Sequence, residues 1–381
     1  MPKEIKSSEG RFLGIPPHVF EYIRAGATVY IEKGAGEKSG FLDEIYRHTG
    51  VKIVDKNEFV DTMSYFHTFF HPHASMVLKV KEILREETNY FLLHNRPVMG
   101  FGHLASNEWL TKTTIAIQAT YLSLEDIVEP GNPPTRPVLA GMSKIAGEEA
   151  VRIGMKYMPR ERPEIIIVGY GHVGKAAHRV ARGEFGLAVT AIDPFANLTT
   201  ISNAMPEFRF IHSKKNTKNI ILNITDNMNL KHYPEQHAKP HPLLFVLAPY
   251  APENKAPVIV TNEALKRLPA NSVIVDVSID QGGACEFSRV TTHENPVVEL
   301  ERGIKYIGIS NLPGGVPKRS TPVFSESVFP YMMQIIKFGF INALKENPAL
   351  RGAVSIYNGK VTSKGLAQTF GLVHTPIDTL V

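Results

Sequence analysis

One block near the middle of the chain constrains the fold more than any other feature. Glu164-Ile165-Ile166-Ile167-Val168 is followed at once by Gly169-Tyr170-Gly171-His172-Val173-Gly174 and by a helical stretch from Lys175 to about Arg182. Leu187-Ala188-Val189-Thr190-Ala191-Ile192 then closes on Asp193. A continuous β-branched run is the pattern of a strand covered on both faces. A lone glycine-rich turn carries little information, but one placed between a strand and a helix, with an acidic residue at the tip of the next strand, has the full context of a dinucleotide fingerprint. Gly169 permits the tight turn, Gly171 lets the backbone approach a pyrophosphate, and Gly174 allows close helix–sheet packing, with Val173 lying between the last two. The N-terminus of the helix presents N–H groups and a positive dipole end to phosphates. A carboxylate at Asp193 accepts hydrogen bonds from both ribose hydroxyls and repels a 2′-phosphate, so the block predicts NAD rather than NADP. The competing reading is a ligand-free turn, with Asp193 as a helix cap ahead of Pro194.

The surrounding pattern extends this unit. Ala27-Thr28-Val29-Tyr30-Ile31, Val51-Lys52-Ile53-Val54 and Met76-Val77-Leu78-Lys79-Val80 read as strands, with a helix over about 17–25 before the first. Leu243-Leu244-Phe245-Val246-Leu247 and Ser272-Val273-Ile274-Val275-Asp276-Val277 read as two more, and a long helix is expected over about 326–345. Strands alternating with helices predict parallel sheets flanked by helices. The Pro- and Gly-rich stretch 129–134 reads as a loop, and a helix opens near Met142-Ser143. The chain has 381 residues, and domains of roughly 100–200 residues suggest two. The expected architecture is α/β, with two doubly wound, Rossmann-like domains and the active site in the interdomain cleft. Residues 1–136 and 318–381 form a discontinuous substrate domain and 137–317 the NAD-binding domain.

Composition narrows the function classes. The single cysteine, Cys285, precludes an internal disulfide and reads as buried filler. The start Met1-Pro2-Lys3-Glu4-Ile5-Lys6 lacks a signal peptide's apolar core, and no run approaches the roughly 18 apolar residues of a membrane helix, so a cytoplasmic protein without a membrane partner is expected. The net charge of +5 raises the question of nucleic acid, but apart from a cluster at Lys214, Lys215 and Lys218 the charge is dispersed and no nucleic-acid-binding signature accompanies it. His67, His71 and His73 lie close together without acidic or cysteine partners, and no metal site is expected there.

Asp280-Gln281-Gly282-Gly283 follows a predicted strand, where ligands of open α/β sheets bind. The segment 274–283 resembles the nicotinamide-side loop of alanine dehydrogenases. So do Thr291-Thr292-His293, Asn311-Leu312-Pro313-Gly314-Gly315-Val316-Pro317 and Ser320-Thr321. Pro2–Lys6 with Arg11, Leu78–Glu82, His103-Leu104-Ala105, Gly34–Glu37, Met142-Ser143 and Tyr357–Thr362 are also similar to that family, in the same order along nearly the whole chain. The nucleotide-binding subunit of proton-translocating transhydrogenase shares the fold, but its Arg-Gln-Asp signature is not visible. The resemblance implies that Arg11 and Lys81 bind substrate, that His103 is the acid–base residue, and that Asp280 positions water or ammonia and shuttles protons. It places Ser143, Asn311 and Leu312 at the dinucleotide. It further implies a small amino acid and its 2-oxo acid as substrates, with L-alanine as the default, and a homo-oligomer, specifically a hexamer.

Three positions depart from the family pattern: Gly102 stands before the histidine where bulk is usual, Gly141 replaces a proline, and Gln118 takes the place of a glutamate. Gly102 and Gly141 suggest a roomier pocket. The alternatives are therefore a relative acting on a larger amino acid, or one joining an amine reductively to a 2-oxo acid. A catalytically inactive dinucleotide sensor is a third, argued against by Lys81, His103 and Asp280 being intact. Residues 201–242 form a long, basic, Asn-rich segment of undecided role.

Overall fold

The computed structural model describes residues 1–57, 76–87, 96–159, 163–193, 209–211, 241–249 and 256–381. The chain divides into two compact units, Met1–Met142 with Val316–Val381, and Ser143–Gly315. In the first unit it runs through helix α1 (Pro16–Arg24) and strands β1 (Tyr30–Glu32), β2 (Lys52–Val54), β3 (Val77–Leu78) and β4 (Pro97–Gly100). Helix α2 (Glu108–Ala116) and strand β5 (Thr120–Ser123) follow, and helix α3 (Pro137–Tyr157) carries the chain into the second unit. There it forms β6 (Glu164–Val168), α4 (His172–Gly183), β7 (Val189–Ile192), β8 (Arg209–Ile211) and β9 (Leu243–Leu247). Helix α5 (Asn262–Arg267), then β10 (Val273–Asp276), β11 (Val298–Glu299) and β12 (Lys305–Ile307) complete it. The chain returns through α6 (Pro317–Phe338), β13 (Val354–Tyr357), β14 (Lys360–Val361) and α7 (Lys364–Phe370).

Among the described residues the second unit has one sheet, of order β11-β12-β10-β9-β6-β7-β8. All neighbours are parallel except β11 on β12. The β-branched run of β6 lies at its centre, with Ile165, Ile166 and Ile167 each 0% exposed. Ile166 and Val168 pack with Phe245, Ile274 and Tyr306, and Ile165 and Ile167 pack on the other face with Ala150, Ala177 and Val180. Each such side chain contributes about 1.5–3 kcal/mol by leaving water, which is why a central strand tolerates no polar residue on either face. Strand β6 pairs with β7 on one side and β9 on the other, so the order of connection reverses beside it. That reversal opens a crevice beyond the strands' carboxyl ends, and Gly169 stands at its edge.

The first unit's main sheet has the order β14-β13-β5-β4-β3. Strands β3, β4 and β5 are parallel, whereas β13 and β14 join antiparallel, and β1 and β2 form a separate parallel pair. Asn358 and Gly359, at φ 45° and 76°, make the β13–β14 hairpin turn, which needs two residues that accept positive φ. Val77, Val98, Tyr121 and Ile356 lie in this unit's core.

The long C-terminal helix differs from its expected span. It starts at Pro317, where a missing N–H costs nothing, and ends before Gly339, whose φ of 78° and ψ of 157° break it from a separate helix at Phe340–Glu346. Pro322 and Pro330 lie inside α6 and obscure its beginning in the sequence. Cys285 is buried, and burial holds its thiol well above its ordinary range, as expected of a core filler. No helix among the described residues is long and apolar enough to cross a membrane. His67, His71 and His73, the lysine cluster at 214–218 and nearly all of 201–242 lie outside the described residues.

Candidate active site

In the first unit Lys81, His103 and a third residue, Glu125, follow the carboxyl ends of three adjacent parallel strands. Lys81 comes three residues after β3 and His103 three after β4, while Glu125 comes two after β5. Lys81 Nζ lies 3.2 Å from His103 Nε2. An ammonium has donors and no acceptor, so Nε2 accepts in this pair and the ring proton sits on Nδ1, which is 4.0 Å from Glu125 Oε1. Glu125 also accepts from the backbone N–H groups of Gly102 at 3.1 Å and His103 at 2.8 Å. Both donors support His103 in a left-handed conformation (φ 45°, ψ 35°), which a non-glycine residue adopts only when held. Burial and the neighbouring Asp126 push the Glu125 carboxyl up to about 7, partly offset by these hydrogen bonds.

Arg11 joins this group through aromatic rings. Its guanidinium carbon lies 5.4 Å from the Phe324 ring centre, Phe324 stacks on Phe101 at 5.2 Å, and Lys81 Nζ lies 5.8 Å from the Phe101 centre. The fork of Arg11 is occupied by Glu9, with Nε to Oε1 at 2.9 Å and Nη2 to Oε2 at 2.6 Å. Nη1 lies 3.2 Å from the Met142 sulfur, a weak acceptor that a stronger anionic one can replace. The chain segment bearing Lys81 is tied to the N-terminus. Glu4 accepts from Val80 N at 2.7 Å and from Lys79 Nζ at 2.5 Å, and Lys6 pairs with Glu82. Glu4, Glu9, Phe101, Glu125 and Phe324 were not legible as partners in the sequence, because their contacts span up to hundreds of residues. Only the short Glu9-Gly10-Arg11 spacing offered a local hint.

At two departures from the family pattern an added side chain would meet close neighbours. A side-chain carbon at Gly102 would stand 2.7 Å from the Tyr121 ring, and one at Gly141 would stand 3.1 Å from Val323. Tyr121 is 0% exposed, so position 102 faces packed core, and the missing side chain there is no sign of a roomier pocket. Gln118, the third departure, is exposed in a left-handed turn (φ 56°).

In the second unit the predicted cofactor segments, except Ser143 on α3, also follow a strand's carboxyl end. Gly169 has φ 92°, and a Cβ there would lie 2.2 Å from the Ala248 carbonyl oxygen. A Cβ on Gly174 would lie 2.0 Å from the Gly169 oxygen, so strand, turn and helix close together only without one. A Cβ on Gly171 would meet nothing within 4 Å, leaving open ground at the N-terminus of α4 where a pyrophosphate can lie against the backbone. Asp193 reaches back to accept from Tyr170 N at 2.5 Å, which fixes the carboxylate at the turn. These residues fit a dinucleotide. Ser143 is half-buried at the unit's first position, and Val173 packs its backbone oxygen against Gly147 of α3. Asp280 lies on a short turn, Val277–Gln281, and accepts from the Ser310 hydroxyl at 2.6 Å. Asn311, in a left-handed conformation (φ 67°), and Leu312 are both buried beside it in sequence. The carbonyl of Asn311 faces His293 Nε2 at 3.3 Å.

Known proteins share both halves of this arrangement. The family description "Alanine dehydrogenase/PNT, N-terminal domain" matches residues 1–146, and "Alanine dehydrogenase/PNT, C-terminal domain" matches residues 156–364. The chain belongs to the alanine dehydrogenase/PNT family. It is 33% identical to alanine dehydrogenase of Methanococcus maripaludis, over 99% of this chain and 98% of the relative. It is likewise 33% identical to that of Bacillus subtilis, over 99% of this chain and 96% of the relative. Its fold matches a solved L-alanine dehydrogenase with TM-score 0.82 and 27% identity, covering 97% and 98% of the two chains. A transhydrogenase from Sinorhizobium meliloti, 20% identical with TM-score 0.73, shares the fold. Membership in the alanine dehydrogenase/PNT family, with a Rossmann-type turn, implies a nicotinamide dinucleotide cofactor.

Proposed function

We propose that this chain is an NAD-dependent amino-acid dehydrogenase that converts L-alanine and water to pyruvate and ammonium, and catalyses the reverse. The observation that carries the reading is the Lys81–His103 pair, 3.2 Å apart and joined to Arg11 through Phe101 and Phe324. An ammonium beside an imidazole suits a 2-oxo acid, and a guanidinium edge suits its carboxylate. Arg11 and Lys81 bind and orient the substrate's carboxylate and 2-oxo oxygen. His103 moves a proton at the substrate's heteroatom, its ring held by Lys81 on one nitrogen and facing Glu125 with the other. Asp280 orients the attacking water, or ammonia in reverse, and carries its proton away. A nicotinamide held there would supply the hydride acceptor for the substrate's Cα–H. Gly169, Gly171, Val173 and Gly174 receive the pyrophosphate, Asp193 the ribose, and Ser143, Asn311 and Leu312 the remainder of the dinucleotide. Asp193 favours NAD over NADP because a 2′-phosphate there meets a like charge.

Gly102 does not argue for a larger substrate, since a side chain there would run into the buried Tyr121 ring. We place the enzyme in the cytoplasm as a homo-oligomer, a hexamer by resemblance, and assign residues 1–136 and 318–381 to substrate and 137–317 to NAD. The test is NAD reduction followed by absorbance across a panel of amino acids, with NADP in parallel. L-alanine with NAD is expected to give the highest kcat/KM. A larger amino acid outpacing alanine would replace the substrate assignment. In the His103→Ala variant turnover is lost while NADH binding persists, whereas for a mere sensor neither changes.

A further inference from the structure

We propose that Ser310 is a positioning residue for Asp280, a role that rests on the proton-carrying function assigned to that carboxylate above. The backbones on both sides of the pair are tightly fixed. Asp276 is 0% exposed and accepts from Ser278 N at 3.2 Å, Ala284 N at 2.8 Å, the Ser288 hydroxyl at 2.7 Å and the Tyr306 hydroxyl at 3.1 Å. These bonds close the 277–285 loop around one buried carboxylate, and Ser278 adds a bond to the Pro249 carbonyl at 2.7 Å. Gly283 has φ 83°, and a Cβ there would lie 2.2 Å from the Ser288 hydroxyl, so the loop has one shape. On the other side, Gly308, two residues before Ser310, and Thr291 exchange bonds at 2.8 and 3.1 Å, and Asn311 is buried immediately after Ser310.

The Asp280 side chain is exposed and free of this framework. Its two torsions would otherwise sample several rotamers of similar energy. The Ser310 hydroxyl donates to Oδ1 at 2.6 Å, the short distance of a charge-assisted bond, and so selects one of them. Among the described residues no further hydrogen bond reaches Asp280, which leaves Oδ2 for water or ammonia. Strands β10 and β12 are parallel neighbours, so the two residues project from adjacent strand ends and the pairing follows directly from the sheet order.

The experiment is a double-mutant cycle of Ser310→Ala and Asp280→Asn, with Ser310→Thr as the conservative variant. Ser310→Ala is expected to lower kcat about 3–10-fold, the scale of one partly exposed hydrogen bond to a charge, with the amino-acid KM and NADH affinity unchanged. Ser310→Thr, which keeps the hydroxyl, restores kcat to within about twofold, and in the Asp280→Asn background Ser310→Ala changes kcat by less than about twofold. An unchanged kcat in Ser310→Ala, no rescue by threonine, or an equal loss in both backgrounds overturns the proposal. Wild-type turnover in Asp280→Asn alone would instead remove the carboxylate's role, and the proposal with it, whatever Ser310→Ala shows.

Discussion

Replacing Glu125 with glutamine keeps the side chain's shape and removes its charge. The wild-type carboxyl is raised from 4.5 to about 7 by burial and by Asp126. Below pH 4.5 it is protonated in folded and unfolded chains alike and contributes nothing to the pH dependence. Above about pH 7 the folded chain must carry it charged, at a cost of roughly 2–3 kcal/mol, reckoned from about 1.4 kcal/mol per pH unit and lowered for a side chain that keeps 19% exposure. The folded state binds more protons than the unfolded one between these limits, so this group's contribution to stability falls as pH rises from 4.5 to 7. Glutamine cannot titrate and removes that slope. Melting temperatures of wild type and Glu125→Gln, measured from pH 4.5 to 8, should therefore diverge in favour of the variant by roughly 4–10 °C at the alkaline end. Turnover should fall even so, because the left-handed backbone at His103 loses an anionic acceptor. Curves that stay parallel across the range would refute the reasoning.

The glycine turn separates space for a ligand from space for the fold. Gly171→Ala meets nothing within 4 Å and should melt within a degree or two of wild type while KM for NAD rises about tenfold or more, by steady-state kinetics. Gly174→Ala forces a Cβ to 2.0 Å from the Gly169 oxygen and should cost about 1–3 kcal/mol by denaturant unfolding. The Tyr121 hydroxyl is buried and has no hydrogen-bond partner among the described residues, so Tyr121→Phe should leave the denaturation midpoint unchanged or raise stability by about 1 kcal/mol. A clear loss in that variant would mean the hydroxyl is paired.

Much of the second unit could be read directly from its residues. The Ile165–Val168 run, the three glycines and Asp193 obey local rules, since a residue without a Cβ and a strand without polar faces leave marks that need no tertiary information. Lys81, His103 and Asp280 were legible because each sits in a short motif at a strand's end. Arg11 was offered as a candidate by resemblance, but not the Glu9 clamp on its fork or the Phe324 and Phe101 rings that link it to Lys81. Glu125 was missed, because only the parallel pairing of β4 and β5 sets residue 125 beside residue 103. Gly102 is the clearest case. An absent side chain reads in a sequence as empty volume, and only the packed chain shows Tyr121 filling it. Local conformation depends on neighbours along the chain, whereas a pocket's volume and a carboxylate's partner depend on groups brought together by sheet order, through contacts that one sequence leaves unmarked.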